Sequence, residues 1–402
     1  MSEINGYTPE RPSQKESSVF HGSEFIAMRE RQESIGMPFS VIHTDIDNSF
    51  FRKDRSEESR KLAVMVYEAN IPLHAVTGNS FEDVLKRIES GELPYFQVIS
   101  GKVGTERYVL HIDAEGKQTY VRDEDYEREL AAKNFDRRSL VESSNELMRK
   151  TDKTWRLDFQ KPEEEAQILK GEKVTDQPYK LSFYFFASSL QQMDQVLETM
   201  RQQYPNQRVV VCEEIGYNSK LQPGDPRKKY CLDLLPITKA EAVNNLAELT
   251  GSKVNIVVGD SGNDNDMLLG AGNVSILVGG ATPDAKNAIE NAITEFNASK
   301  GKPNIGRFEQ IGQKWYFRED PLEKVKRRLK VLSGGETSSY LGPDSIIHTL
   351  KVLVRAARMK LNGISQAYSI QNPQAAQTEI NRMMGILNAE TYSKEAKKEI
   401  YV

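Results

Sequence analysis

Only two of the 402 residues are cysteine, Cys212 and Cys231, and only five are histidine. One disulfide is the most they allow. A disulfide-stapled scaffold is therefore excluded, and a reducing compartment, the cytoplasm, is expected. The same shortage disfavours a Cys/His zinc site and leaves any metal chemistry to carboxylates. Charge of one sign is lacking too: 54 Lys and Arg stand against 58 Asp and Glu, a net charge of −4. That balance argues against nucleic acid as a partner, because phosphate backbones select basic surfaces. No apolar run approaches the roughly 18 residues that suggest a spanning helix. The opening MSEINGYTPERPSQ has no apolar stretch of the signal-peptide kind. With 28% charged residues and a mean hydropathy of −0.58, the sequence predicts a soluble chain with no membrane span.

What is present is a hydrophobic fraction of 38%, enough for a buried core, in a length that suits about two domains. Residues 1–39 are polar and weakly patterned, and predict a mobile start with a short helix over 24–32. A strand signal begins at 40–46. A helix over 57–69 follows, with Leu62, Met65, Val66 and Ala69 on one face, then a strand at 72–77, a helix at 81–90 and a strand at 95–100. Strands alternating with helices imply βαβ units and a parallel sheet.

The rhythm then breaks. Residues 113–175 are charged and predict helices, while 180–186, 208–212 and 230–235 are β-rich, which together read as an inserted α+β domain over 113–235. The first rhythm resumes with a helix over 239–250, its Ala242, Val243, Leu246 and Leu249 inward and Gly251 at the stop position. Strands at 254–259 and 274–278 complete a core spanning 40–112 and 236–318. Beyond about residue 320 the pattern is helical, giving a C-terminal extension over 319–402. Ile346, Ile347, Leu350, Leu353, Val354 and Ala357 form an apolar stripe there, as expected of a helix docked on its own core, with a membrane surface or a partner as the alternative.

Four short stretches can carry chemistry. Thr44-Asp45-Ile46-Asp47-Asn48-Ser49 ends an apolar strand, where open α/β sheets place their ligands. Two carboxylates one residue apart can divide the work, Asp45 as nucleophile and Asp47 as proton donor. Taken alone, such a pair is common in surface turns. Gly259-Asp260-Ser261-Gly262-Asn263-Asp264 also follows an apolar strand. Its glycines allow a tight turn that aims Asp260 and Asp264 at one spot, and clustered carboxylates call for a hard divalent cation, Mg2+ above all. Thr77-Gly78-Asn79 offers a hydroxyl and free N–H groups for phosphoryl oxygens. Lys239, opening the helix before the acidic loop, offers positive charge. His43 reads as a packed strand residue.

In this order the four stretches resemble the motifs of haloacid dehalogenase-type phosphohydrolases. The resemblance implies an α/β, Rossmann-like parallel-sheet core with an inserted α+β C2-type cap, here carrying extra C-terminal helices. It makes Asp45 the nucleophile, Asp47 the general acid/base, and Thr77 and Lys239 the phosphoryl-binding groups. Mg2+ would lie on Asp45, the Asp47 carbonyl, Asp260 and Asp264. Within that family, Val103-Gly104-Thr105-Glu106, Leu157-Asp158-Phe159-Gln160 and Pro178-Tyr179-Lys180-Leu181-Ser182 resemble sucrose-phosphate phosphatases. That narrower likeness implies a sugar phosphate held by Gly78, Asn79 and Asn263 in the core, by Thr105 and Glu106 after the third strand, and by Lys180 and Ser182 in the cap. A phosphatase for phosphoprotein or another phosphometabolite, a phosphomutase, and a non-catalytic binding protein on the same fold are the alternatives.

Overall fold

The structure is a computed structural model. It describes residues 18–34, 39–150, 158–170, 178–218, 220–222, 225–272 and 274–298. Shorter runs follow at 307–311, 314–318, 331–333, 343–347, 350, 378, 381–383, 385–386 and 401. Leu353, Val354 and Ala357 of the apolar stripe lie outside the described residues.

The first run of elements is α1 (Glu24–Ser34), β1 (Ser40–Thr44), α2 (Ser56–Glu68), β2 (Leu73–Val76), α3 (Phe81–Glu89), β3 (Val98–Gly101), β4 (Glu106–Ile112) and β5 (Gln118–Arg122). Then come α4 (Glu124–Ala131), α5 (Arg137–Lys150), β6 (Asp158–Phe159), α6 (Pro162–Leu169), β7 (Leu181–Ala187), α7 (Leu190–Gln203), β8 (Arg208–Glu213), the short α8 (Ile215–Asn218) and β9 (Lys228–Leu235). The last run is α9 (Lys239–Thr250), β10 (Val254–Gly259), β11 (Val274–Leu277), α10 (Pro283–Ala298), β12 (Arg307–Ile311), β13 (Lys314–Arg318) and β14 (Val331–Ser333).

A seven-stranded sheet in the order β11-β10-β1-β2-β3-β4-β5 is the centre of the molecule. Its first five strands are parallel, joined by helices, and β4 and β5 add an antiparallel edge. β1 lies in the middle, so the loop that leaves it emerges between the loops after β10 and β2. The sequence starts the insertion at 113, yet β5 keeps the chain on the large sheet to Arg122 by pairing with β4. The inserted cap is a four-stranded antiparallel sheet, β6-β7-β9-β8. On it Phe183, Phe185, Val196, Met200, Leu232 and Leu234 form a separate hydrophobic core.

Parallel central strands are buried on both faces and read as continuous apolar runs. β1 interrupts its run with His43, and β2 with His74. The structure buries both and bonds them to each other, Nδ1 to Nδ1 at 2.6 Å. His43 Nε2 lies 3.1 Å from Asn255 Oδ1 and His74 Nε2 lies 2.9 Å from Ser100 Oγ. Burial holds both rings neutral, pushing His43 down to about 4 and His74 well below its ordinary value. With Asn255 Oδ1 as acceptor the tautomers follow. His43 carries its proton on Nε2, His74 donates from Nδ1, and Ser100 donates to His74. One polar chain thus stitches β3, β2, β1 and β10 together beneath their ends.

One difference from the sequence pattern lies in the C-terminal part. Residues 331–333, placed in a helical extension, form a strand on β13. Strand pairing is a non-local bond that periodicity does not register. The apolar stripe, by contrast, is docked on its own protein: Ile346, Ile347 and Leu350 belong to the same core as Ile42, Leu62, Val258 and Ile276. Ser345 Oγ accepts the Gly279 N–H at 3.1 Å, Asp344 pairs with Arg55 at 3.7 Å, and Arg382 donates to the Glu68 carbonyl at 2.6 Å. Among the described residues no helix is long and apolar enough to cross a membrane.

Ile346 is 0% exposed. Ile346→Ala should lower the unfolding free energy by about 2–5 kcal/mol in urea titration. A change under about 0.5 kcal/mol, the size of a surface substitution, would show that the extension is no part of the core.

Candidate active site

The site forms where β1, β2 and β10 end side by side. Asp45 follows β1 directly, with its N–H on the Val258 carbonyl at 2.9 Å. Lys239 opens α9, whose Thr238 cap accepts from Glu241 N–H while Glu241 accepts from Thr238 N–H. This capping box fixes the first turn and sends the Lys239 side chain inward, where it is 0% exposed. Its Nζ donates to Asp45 Oδ1 at 2.7 Å, to Asp264 Oδ1 at 2.6 Å and to Asn263 Oδ1 at 3.4 Å.

Asp264 folds back over its own loop. Its Oδ2 accepts from the Asp260 and Ser261 N–H groups at 3.0 and 3.1 Å. That return runs past Gly259, where a Cβ would lie 2.4 Å from Asp264 Cβ, so only glycine fits. Asp260 points to the same side and accepts from Ser49 Oγ at 3.0 Å. One carboxylate oxygen from each of Asp45, Asp260 and Asp264 lies within 4.8 Å of the other two.

Three buried carboxylates share a single ammonium. Desolvation therefore prevails: Asp45 is pushed up to about 7 by burial and by its acidic neighbours, against the pull of Lys239. Asp260 is raised well above the ordinary carboxylate range for the same reasons, and Lys239 is raised by Asp264 and Asp45 despite its own burial. An all-oxygen donor set with uncompensated negative charge fits a hard divalent cation such as Mg2+.

Asp47 stands apart from this cluster. Its Oδ2 accepts from Asn79 Nδ2 at 2.7 Å and its Oδ1 from Arg87 Nη1 at 2.9 Å. Thr77 Oγ1 accepts from its own loop, the Asn79 N–H at 3.2 Å. Gly78 faces Asn263, whose Nδ2 would be 3.9 Å from a Cβ there. This loop is clamped from behind by Lys102 and Val103, whose N–H groups donate to the Asn79 and Thr77 carbonyls at 2.8 Å. Both clamp residues sit at positive φ, +48° and +63°. For a β-branched valine that conformation stores roughly 1–3 kcal/mol of strain.

Thr105 and Glu106 are held inside the fold rather than at the carboxylate cluster. Thr105 Oγ1 donates to the Lys102 carbonyl, and Glu106 accepts from the Phe81 N–H and pairs with Lys102 at 3.3 Å. In the cap, Lys180 and Ser182 meet on one carboxylate: Asp233 accepts from Ser182 Oγ at 2.6 Å and pairs with Lys180 Nζ at 3.0 Å. Tyr184, on the same face, accepts from Gln160 at 2.9 Å.

The cap rests on the core nearby. Val210 and Leu235 pack with Val103, and Arg208 pairs with Glu241 at 2.7 Å. A Cβ at Gly262 would meet the Val211 carbonyl at 2.4 Å, so the acidic loop runs directly beneath β8.

Ser49, Arg87 and Asp233 were not found from the sequence. Asp233 had a signal, a carboxylate inside an otherwise apolar strand. Ser49 stood within the first stretch without a role of its own and Arg87 had no signal, since each acts through a partner distant in sequence.

The family model for sucrose-6F-phosphate phosphohydrolase matches residues 38–302. Among solved structures, the sucrose-phosphatase from Synechocystis sp. PCC6803 in complex with sucrose and phosphate is 16% identical. That match covers 78% of this chain and 97% of that one, with a TM-score of 0.47. A haloacid dehalogenase subclass IIB sugar phosphatase is 13% identical over 64% and 98%, with a TM-score of 0.35. A haloacid dehalogenase-like hydrolase from Bacteroides thetaiotaomicron is 18% identical over 62% and 92%, with a TM-score of 0.33. No curated protein matches the sequence. The family match defines the class, a phosphohydrolase that acts on a phosphoric monoester. The chain belongs to the sucrose-6F-phosphate phosphohydrolase family and is a sugar phosphatase.

Two measurements test the cluster. An aspartate raised in the folded state keeps its proton longer than when unfolded, so its stabilising contribution falls as pH rises from about 4 through about 7. In metal-free protein, urea-unfolding stability of wild type relative to Asp45→Asn should decline over that window, and Mg2+ should remove the decline. A difference that grows with pH would contradict the site's electrostatics. Gly259→Ala forces Asp264 to move, and kcat should fall on the order of 100-fold in steady-state assays; unchanged turnover would show that the Asp264 return is dispensable.

Proposed function

We propose that this sugar phosphatase hydrolyses a phosphate monoester resembling sucrose 6-phosphate through a phosphorylated Asp45. The observation that carries the reading is the placement of Asp45: a buried carboxylate at the end of the central strand, bonded to Lys239, with Asp260 and Asp264 beside it. Phosphate monoesters resist water because attack falls on a dianion, and such uncatalysed hydrolysis is among the slowest known.

Asp45, the Asp47 main-chain carbonyl and Asp260 would hold Mg2+, with Asp264 behind them. Bound there, the ion supplies positive charge between nucleophile and phosphoryl group. Lys239 and Thr77 bind phosphoryl oxygens that gain charge at the transition state, with the N–H groups around Gly78 and Asn79. An Asp45 oxygen attacks phosphorus in line with the sugar oxygen, which departs with a proton from Asp47. Asp47 then takes a proton from the water that releases phosphate from Asp45.

Lys180 and Ser182, held by Asp233, and Asn263 read the sugar. A cap seated on the core at Val103 and Glu241 encloses a small substrate and excludes water. We assign the core to 40–122 and 236–318, the cap to 123–235, and extensions to 1–39 and 319–402. The two free cysteines support a cytoplasmic setting.

The test is phosphate release with Mg2+ from sucrose 6-phosphate, other disaccharide phosphates, hexose phosphates, a phosphotyrosine peptide and an aryl phosphate. A sharp preference for sucrose 6-phosphate supports the reading; activity on the peptide alone would refute it. Asp45→Asn should abolish turnover while the variant still folds and unfolds cooperatively, and wild-type turnover in that variant would sink the covalent mechanism.

A further inference from the structure

We propose that Arg87 is a positioning residue that aims Asp47 at the leaving sugar oxygen, an inference that rests on the phosphatase reading of Asp47 given above. The Asp47 side chain is 52% exposed and that of Arg87 is 21% exposed. An ion pair this open contributes little to stability. Its surroundings are nevertheless built to fix it.

The guanidinium is held independently of Asp47. Glu92 Oε1 accepts from Arg87 Nε at 2.8 Å and lies 2.7 Å from Nη2. The Phe51 ring supports it from below, 5.1 Å from centroid to Cζ. Glu92 is brought there by the end of α3. Its N–H donates to the Arg87 carbonyl at 2.9 Å and the Gly91 N–H to the Ile88 carbonyl at 2.8 Å, with Gly91 at φ +71°. This is a Schellman termination, which returns the chain onto the helix's last turn. Phe51 belongs to the Asp47 loop itself: its N–H donates to the Ile46 carbonyl at 2.7 Å, and Asn48 N–H donates back to the Phe51 carbonyl at 2.8 Å. The arginine is thus seated on the loop that bears Asp47, and only Nη1 remains to reach Oδ1.

An acid must lie within hydrogen-bond reach of the atom it protonates, and a half-exposed aspartate rotates freely unless held. Arg87 Nη1 donates to Oδ1, the oxygen nearer α3, and Asn79 Nδ2 donates to one lone pair of Oδ2 at 2.7 Å. The transferable proton is therefore assigned to the second lone pair of Oδ2. In the first step a bond forms between the Asp45 oxygen and phosphorus, and the bond from phosphorus to the sugar oxygen breaks. The electron pair stays on that oxygen, which takes the Oδ2 proton.

The leaving group separates this role from a structural one. A sugar oxygen needs that proton, whereas para-nitrophenolate leaves without it. For Arg87→Met, kcat/KM on the preferred sugar phosphate should fall roughly 10- to 100-fold, while that on para-nitrophenyl phosphate changes less than about 3-fold. Arg87→Lys keeps the charge but not the planar fork, and should show a smaller split of the same sign; it carries the test if the Met variant does not fold. Asp47→Asn should show the same split more strongly. An equal loss on both substrates, or a gain on the sugar phosphate, overturns the role of Arg87 and leaves the phosphatase reading standing. A wild-type protein that releases phosphate from neither substrate overturns both.

Discussion

The site depends on one buried ammonium. Lys239 lies between Asp45 and Asp264 with no exposure to water, and two anions are the condition for a lysine to stay charged there. Remove it and three carboxylates face one another in a desolvated pocket. Keep it and carboxylates still outnumber cations in the cluster, a donor set that fits a divalent cation. Much of the surrounding architecture fixes that single atom. The Thr238–Glu241 capping box sets the first turn of α9. Arg107, fully buried, reaches the same helix through the Ala242 carbonyl and Asn245.

Glu241 also belongs to the contact between the two halves of the molecule. Its carboxylate caps the turn next to Lys239 and pairs with Arg208 of the cap. Displacing the cap would therefore loosen a group two residues from the buried ammonium. The loop after β2 is held in a comparable way from the other flank, by two residues in left-handed conformation that donate to its carbonyls. Strain there persists because Val103 is also packed under Val210 and Leu235.

The sequence was most informative where chemistry sits on regular structure. The helix over 239–250 and the strand over 254–259 appear with those bounds, because apolar period and a terminal glycine agree locally. Asp45, Asp260 and Asp264 were visible as carboxylates directly after apolar strands. Partners were not. The Arg87–Asp47 pair spans 40 positions and Asp233 meets Ser182 across 51, distances at which a single sequence carries no register. Glu106, expected at the sugar from the family likeness, instead accepts the Phe81 N–H at the start of α3. β5 and β14 were missed because a short edge strand is defined by its neighbour more than by its own residues.

The docking of Ser345, Ile346 and Leu350 bears on how the protein is made. These residues close the hydrophobic core that also contains Ile42 and Val258, and Ser345 bonds the loop that turns from β11 toward Asp260. Synthesis proceeds from the N-terminus, and domains fold as their residues become available. Every carboxylate of the cluster and its lysine are in the chain well before residue 345. During that interval the nascent enzyme has its chemical groups but an open apolar flank beside them. That flank is the surface a chaperone or a neighbouring nascent chain would meet first.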